Sequence, residues 1–550
     1  MNLAPRPSLR AVAPWLRWWG AAVLCLAMLS LTGCGSLPQQ VERPVSTALA
    51  SPESTALGAL VAARRTEAKA RQPSGFALLS GPQSAYGSRL ALVEAAQHTL
   101  DLQYYAIHAD ASSERLLLSV VAAAQRGVRV RVLLDDFHST GRNAQVMRLA
   151  FVPNIEMRMF NPLTGARGSA LGRAFSALAD FDRAQQRMHN KLFIADNMAA
   201  VAGGRNLGDA YFGNAEDGNF VDLDVLAVGP VVAELSQSFD SYWNNPRAYP
   251  VQSLITRSEL DVLRAKPQPS TEQSTEALEE PLQVGGGNAA LLNEQRARVW
   301  DKKAMDLTQA RLVWAPAVVM ADHPTKIPLE NEGSATYTGE SVVDSLLNLI
   351  RNARSDLLIV SPYFVTGPDM KAAFAQARKR GVRVRVLTNS LASNDAPLAH
   401  VGYARHREDL LEMGIELYEL RAEQAGLRSA LGAATGGSSG ASRAMLHSKL
   451  VVADQRLVVV GSMNLDPRSQ RQNTEVALLI ASRELARRAA QRIEPVLETQ
   501  AWRVEQTPQG LRWHAPEGSE LPDATTEPDT SLPLRLLLRL LAPLAPDHLL

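Results

Sequence analysis

The 550-residue sequence predicts an α/β fold built by tandem duplication, with one site at the interface of the two halves. Two observations carry that prediction. The pattern His189, Lys191, Asp196, Gly203 and Asn206 returns at identical offsets as His447, Lys449, Asp454, Gly461 and Asn464. Histidine makes up only 10 of the 550 residues, so two matched copies are not coincidence. A second repeat, Gly127-Val-Arg-Val-Arg-Val-Leu against Gly381-Val-Arg-Val-Arg-Val-Leu, follows a helix-like stretch in each copy and alternates with period two, as a strand does. Apolar strands near residues 100–107 and 357–364 precede those helices. Strand, helix, strand in each half implies an α/β/α sandwich with a largely buried sheet.

Along the chain, Arg6, Arg10 and Arg17 precede a charge-free run from Trp18 to Gly33, the layout of a secretory signal over residues 1–33. The run is short of the roughly 20 residues of a spanning helix; an uncleaved anchor helix is the other reading. It ends in Leu31-Thr32-Gly33-Cys34, which resembles a bacterial lipobox, with Cys34 as the lipidated first residue of the mature chain. Gly35 after it favours the outer membrane over the inner, and the expected location is a lipoprotein facing the periplasm. Cys25, the other cysteine, would leave with the signal, so neither a disulfide nor a cysteine metal site is expected. Residues 34–75, rich in Pro, Ser, Ala and Gln, read as a tether with some helix. The first domain is expected at 76–250, a linker at 251–306 containing Gly285-Gly286-Gly287, the second domain at 307–515, and a tail at 516–550. Leucine-rich residues 531–550, with Arg535 and Arg539 a helical turn apart, suit either a membrane interface with both guanidinium groups at the headgroups or a helix docked on the protein.

Apolar content of 46%, charged content of 21% and a net charge of +1 are ordinary for a globular protein and supply no global field for nucleic acid.

Residues 188–195 and 446–453 read as strands entering hairpins, which puts His189 with Lys191, and His447 with Lys449, on one face. Turns centred near 197 and 455 would bring Asn206 and Asn464 back beside their own histidines. Two such patches face to face surround one phosphate, with Lys and Asn donating to its oxygens. The six candidate catalytic residues are thus His189, Lys191, Asp196, His447, Lys449 and Asp454, with Asn206 and Asn464 as phosphate ligands. Asp196 and Asp454 fall at turns, where bonding to backbone is the expected role. The imidazoles need opposite protonation, one neutral to attack phosphorus and one cationic to protonate the leaving alcohol. Asp222 and Glu475 are the carboxylates placed to orient them, and Asp224 reads as a solvated edge carboxylate.

These residues resemble the phospholipase D superfamily, whose signature is this duplicated motif, over roughly residues 76–515. Leu102-Gln103-Tyr104-Tyr105, Asp135-Asp136, Gly203-Gly204-Arg205-Asn206 and Gly461-Ser462-Met463-Asn464-Leu465-Asp466-Pro467-Arg468-Ser469 are similar to the bacterial C-type cardiolipin synthase branch. The resemblance implies phosphatidyl transfer through a phosphohistidine on His189, with His447 as acid and base, without a metal or other cofactor. Phospholipid substrates, phosphatidylglycerol and possibly phosphatidylethanolamine, at a membrane surface follow from it, and nucleic acid does not. Transfer to a phosphatidylglycerol headgroup would yield cardiolipin and transfer to water phosphatidic acid, while a nuclease would share the core chemistry.

Overall fold

The structure, a computed structural model, describes residues 37–163, 180–215, 218–265, 289–328, 339–422, 443–544 and 546–547. Signal residues 1–33, Cys34 and Gly285–Gly287 lie outside them. Each half folds around a nine-stranded sheet. The first runs Val313–Trp314, Gly75–Leu79, Asp224–Val228, Ala199–Gly203, Leu192–Ala195, Thr99–Tyr104, Arg129–Asp135, Ile155–Phe160, Ala248–Pro250. The second runs Ala317–Ala321, Val476–Ala481, Leu457–Gly461, Leu450–Ala453, Asp356–Val360, Arg383–Asn389, Glu416–Leu420, Ala501–Thr507, Gly510–His514. Eight positions correspond, and the ninth strand sits at opposite edges. The Val-Arg-Val-Arg-Val strands lie between parallel neighbours, the rest being antiparallel.

The expected sandwich is there, and its inner layer is shared. One apolar core packs helices Pro82–Ala95 and Ala111–Gln125 on the outer face of the first sheet, and another packs Val342–Asn352 and Pro368–Lys379 on the outer face of the second. Between the sheets, helices Val231–Trp243 and Arg483–Thr499 lie in a single core with Phe76, Leu192 and Val225 from one half and Leu358, Val460 and Leu478 from the other. Burying each inner face against the other half fixes the halves together through the hydrophobic effect.

The alternation in Arg129–Asp135 does not separate water from core. Arg131 is fully buried, bonds Asp101 at 2.7 Å and reaches Asp240 on helix Val231–Trp243 at 2.8 Å. Arg385 repeats this with Asp356 and Glu494.

The expected boundaries shift where segments pack across them. Val313–Trp314, assigned to the second domain, pairs with Gly75 and Phe76 in the first sheet. Residues 37–75 lie on the first half: Arg131 and Arg158 donate to the carbonyls of Ser46 and Pro44, and helix Ala56–Glu67 buries Leu57 and Val61. The described parts of the linker also pack, with Leu260 and Val299 in the first core. Helix Leu532–Leu541 docks through Leu534 and Leu538 against Leu391 and Val401. Arg535 turns to the carbonyls of Glu527 and Thr530 rather than outward, while Leu532, Leu536, Leu537 and Leu540 stay exposed. Among the described residues, no helix is long and apolar enough to cross a membrane.

Candidate active site

Both histidines stand where one half is stitched by backbone to the other. The strands expected over 188–195 and 446–453 begin only at Leu192 and Leu450. The residues before them leave their own sheet: His189 N donates to the Thr474 carbonyl at 2.9 Å, and His447 N to the Val221 carbonyl at 2.9 Å. Strand Arg443–Leu446 runs parallel to Gly218–Val221, extending that exchange. The hairpin register is also one residue shorter than the offsets suggest. Ala195 pairs with Ala199 and Ala453 with Leu457, because two consecutive residues in each turn take left-handed backbone (Asp196 and Asn197, Asp454 and Gln455). The residue before each histidine is pinned by the end of the Val-Arg-Val-Arg-Val strand, Met188 N to Asp135 at 2.9 Å and Leu446 N to Asn389 at 2.9 Å.

The orienting carboxylates work crosswise. His189 Nδ1 lies 3.1 and 3.0 Å from the two carboxylate oxygens of Glu475, in the opposite half. His447 Nδ1 lies 2.7 Å from Asp222 Oδ2, again in the opposite half. Each carboxylate is seated by its own half. Ser462 and Ser469 both donate to Glu475, and the backbone N of Glu475 donates to Asp322, which is itself ion-paired with buried Lys326. A Cβ on Gly204 would lie 2.6 Å from both oxygens of Asp222, so only glycine leaves that carboxylate its place. Either imidazole thus has its Nδ1 engaged and its Nε2 left for chemistry.

Lys191 and Lys449 are buried and each donates to the carbonyl of its own histidine at 2.6 Å, which aims both ammonium groups at the same region. Asn206 donates to the Tyr211 hydroxyl and accepts from Ala106 N. Asn464 Oδ1 is buried with no partner among the described residues, a polar atom free for a ligand. Asp196 and Asp454 leave the catalytic group. Asp196 accepts from the backbone of Gln97, His98 and Thr99, and Asp454 from that of Arg354, Ser355 and Asp356. Each ties its turn to the start of the neighbouring strand.

Asp224 is not a solvated edge. It is fully buried between Arg89 at 3.0 Å and Arg205 at 3.3 Å, and Arg205 also donates to the carbonyl of Asp222. Asp224→Ala would strand two buried guanidinium groups, so it is expected to cost about 3–5 kcal/mol of stability. Denaturant titration measures this, and a loss below about 1 kcal/mol would contradict the buried triad.

Burial dominates the electrostatics. It lowers His189 to about 4, against the pull of Glu475. It holds His447 well below its ordinary value, helped by the positive charge of Lys449 and Lys191. The same cause brings Lys191 to about 7 and Lys449 to about 8. Burial thus favours the neutral form of both imidazoles, and the charge of an anionic phosphate would favour the cationic partner that the chemistry requires. The carboxylates differ: burial raises Asp222, while Glu475 stays low despite its burial because His189 and Lys191 face it. A rate that needs His189 neutral falls as pH drops through about 4, and one that needs both ammonium groups falls as pH rises through about 7 to 8. The kcat/KM profile for a soluble short-chain phospholipid is expected to show both limbs. An acid limb at the ordinary histidine value of 6.5 would contradict the burial argument.

Residues 90–243 and 346–497 match the family described as cardiolipin synthase, phospholipase D-like domain. Cardiolipin synthase C of Escherichia coli K12 is 36% identical over 472 residues, covering 85% of this chain and 94% of that protein. An uncharacterised protein of Helicobacter pylori strain 26695 is 32% identical over 518 residues, covering 93% and 96%. Among solved structures, phosphatidylserine synthase of Haemophilus influenzae Rd KW20 aligns with a TM-score of 0.54 over 88% of this chain and 98% of that one, at 14% identity, a likeness of fold.

Proposed function

Since this chain belongs to the phospholipase D-like cardiolipin synthase family and is a phosphatidyltransferase, we propose that it forms cardiolipin by moving a phosphatidyl group onto the headgroup of phosphatidylglycerol. The observation that carries the reading is the crosswise pair, His189 on Glu475 and His447 on Asp222, which presents two Nε2 atoms to one phosphorus.

In the first displacement, His189 Nε2 attacks phosphorus, its Nδ1 proton held by ionised Glu475. The P–N bond forms as the bond to the headgroup oxygen breaks, and His447 delivers a proton to that oxygen. In the second, His447 takes the proton of the incoming hydroxyl, whose oxygen displaces His189. Lys191 and Lys449 meet the charge that gathers on the non-bridging oxygens. The raised Asp222, 2.7 Å from His447, suits the proton-carrying role, since a proton can rest between the two in either state.

The test is incubation of the purified protein with labelled phosphatidylglycerol vesicles, with and without phosphatidylethanolamine. Labelled cardiolipin supports the reading, and phosphatidic acid alone overturns it in favour of hydrolysis. DNA cleavage without lipid turnover would replace both with a nuclease.

We also propose an exported lipoprotein held at the membrane through Cys34, on the strength of the lipobox-like Leu31-Thr32-Gly33-Cys34 and the exposed leucines of helix Leu532–Leu541. Cys34→Ala is expected to move the protein out of the membrane fraction, and unchanged membrane retention with an uncut signal would contradict the lipid anchor.

A further inference from the structure

The two signatures are matched, but the walls beside them are not. On the first-half side a continuous run of rings joins one catalytic histidine to the other. Tyr105 meets His189 edge-on at 5.1 Å between centroids and His138 at 4.9 Å. His138 lies 6.3 Å from His108, which stacks on Tyr211 at 6.2 Å, and Tyr211 meets His447 at 5.3 Å. Tyr105, His108 and His138 follow the carboxyl ends of parallel strands Thr99–Tyr104 and Arg129–Asp135, where open α/β sheets bind ligands, and Tyr211 joins them from the segment after Ala199–Gly203.

Among the described residues, the second half carries no histidine at the matching positions. Ile107 bridges Leu207 as Phe364 bridges Leu465, so Val365 stands where His108 does. Asp135 and Asn389 end equivalent strands, so Ala392 stands where His138 does. The fold has also made room for this wall. A Cβ on Gly208 would lie 2.8 Å from the His108 ring, and the equivalent position in the second half is Asp466.

Burial and neighbouring positive charge bring His138 to about 4, and burial lowers His108. Neutral imidazoles each offer one N–H donor and one bare nitrogen acceptor, which complements hydroxyl groups rather than anions. The His108 Nδ1 faces Asn143 at 3.4 Å, while neither nitrogen of His138 has a hydrogen-bond partner among the described residues. Charge recognition of the phosphate falls instead to Lys191 and Lys449.

We propose that His108 and His138 form the wall that receives the hydroxyls of the acceptor, so that a polyol is presented to phosphorus ahead of water. In-line displacement of His189 requires the attacking oxygen beside His447. The two remaining hydroxyls of free glycerol, or the single one of a phosphatidylglycerol headgroup, then face the wall beyond Tyr211, with His108 nearer than His138. These are positioning residues, and their role rests on the transfer reading above. The same chemistry fits the glycerol of a phospholipid headgroup and free glycerol.

The test uses the double variant His108→Val/His138→Ala, which installs what the second half carries at these positions. The donor is phosphatidyl-p-nitrophenol, whose leaving group has no further hydroxyl to engage the wall. Acceptors are free glycerol and phosphatidylglycerol vesicles in parallel. The burst of nitrophenol on rapid mixing reports the first displacement and serves as the folding control; the ratio of transfer product to phosphatidic acid reports the second. The expected result is release within about threefold of the parent and a transfer ratio lower by about tenfold or more, the loss of one or two hydrogen bonds. A fall with both acceptors assigns the wall to polyols in general, and a fall with phosphatidylglycerol alone assigns it to the lipid headgroup. An unchanged ratio with both overturns the proposal, as does loss of nitrophenol release, which would place the wall in the first displacement. A parent protein that only hydrolyses would sink the transfer reading itself.

Discussion

His189→Ala is expected to lower turnover of natural phospholipids by about 10⁴-fold or more and to abolish covalent labelling by a phosphatidyl donor. The size follows from what the side chain alone supplies. Its Nδ1 is fixed against both oxygens of Glu475, a carboxylate that Ser462 and Ser469 also hold in place, so Nε2 is presented as a neutral nucleophile. Positive charge that builds on the ring during attack is met by Glu475 rather than by water. His447 is poorly placed to substitute, because its partner Asp222 is raised by burial and its own protonation is opposed by both lysines. Rates with labelled phospholipid and gel detection of the adduct measure both effects. Residual labelling above about one hundredth of the parent would remove His189 from the nucleophile's place.

His447→Ala is expected to cost nearly as much with natural donors, about 10³- to 10⁴-fold, but to behave differently with a donor whose leaving group departs unprotonated. With phosphatidyl-p-nitrophenol the first displacement needs no acid, so a burst approaching one nitrophenol per enzyme should appear. The second displacement lacks its base, so the burst should be followed by very slow turnover and the adduct should persist. Rapid-mixing absorbance resolves the two phases. Absence of a burst, with the variant folded by calorimetry, would mean that His447 acts before the leaving group departs in some other way.

Much of this was legible in the chain. The duplicated signature, the doubled Gly-Val-Arg-Val-Arg-Val-Leu and the strand-helix-strand order predict two α/β halves around one site, which is the fold observed. Asp222 and Glu475 were identifiable as partners of the histidines because both lie in strand-like segments that follow the motifs. Their crosswise assignment was not, since it depends on residues 188 and 447 leaving their own sheets to pair with Thr474 and Val221, far away in sequence. The one-residue register error arises from left-handed turn residues that offsets alone do not reveal. Asp224 reads as solvated because the local pattern cannot distinguish a wet edge from a buried one lined with ion pairs. The ring wall eluded the sequence for a related reason: Tyr105 and His108 share one loop, but His138 and Tyr211 come from two other segments, and only the packing brings them together. Gly208 was the one local signal of it.

Central to the account is a double displacement in which His189 carries the phosphatidyl group between donor and acceptor. The stereochemistry at phosphorus tests this most directly. A phosphatidyl donor made chiral with sulfur and heavy oxygen would be transferred to an alcohol, and the configuration of the product read by phosphorus NMR. Two in-line attacks, one by each nucleophile, predict overall retention. Inversion would mean that the alcohol attacks the phospholipid directly, and would contradict the phosphohistidine and the division of roles between His189 and His447.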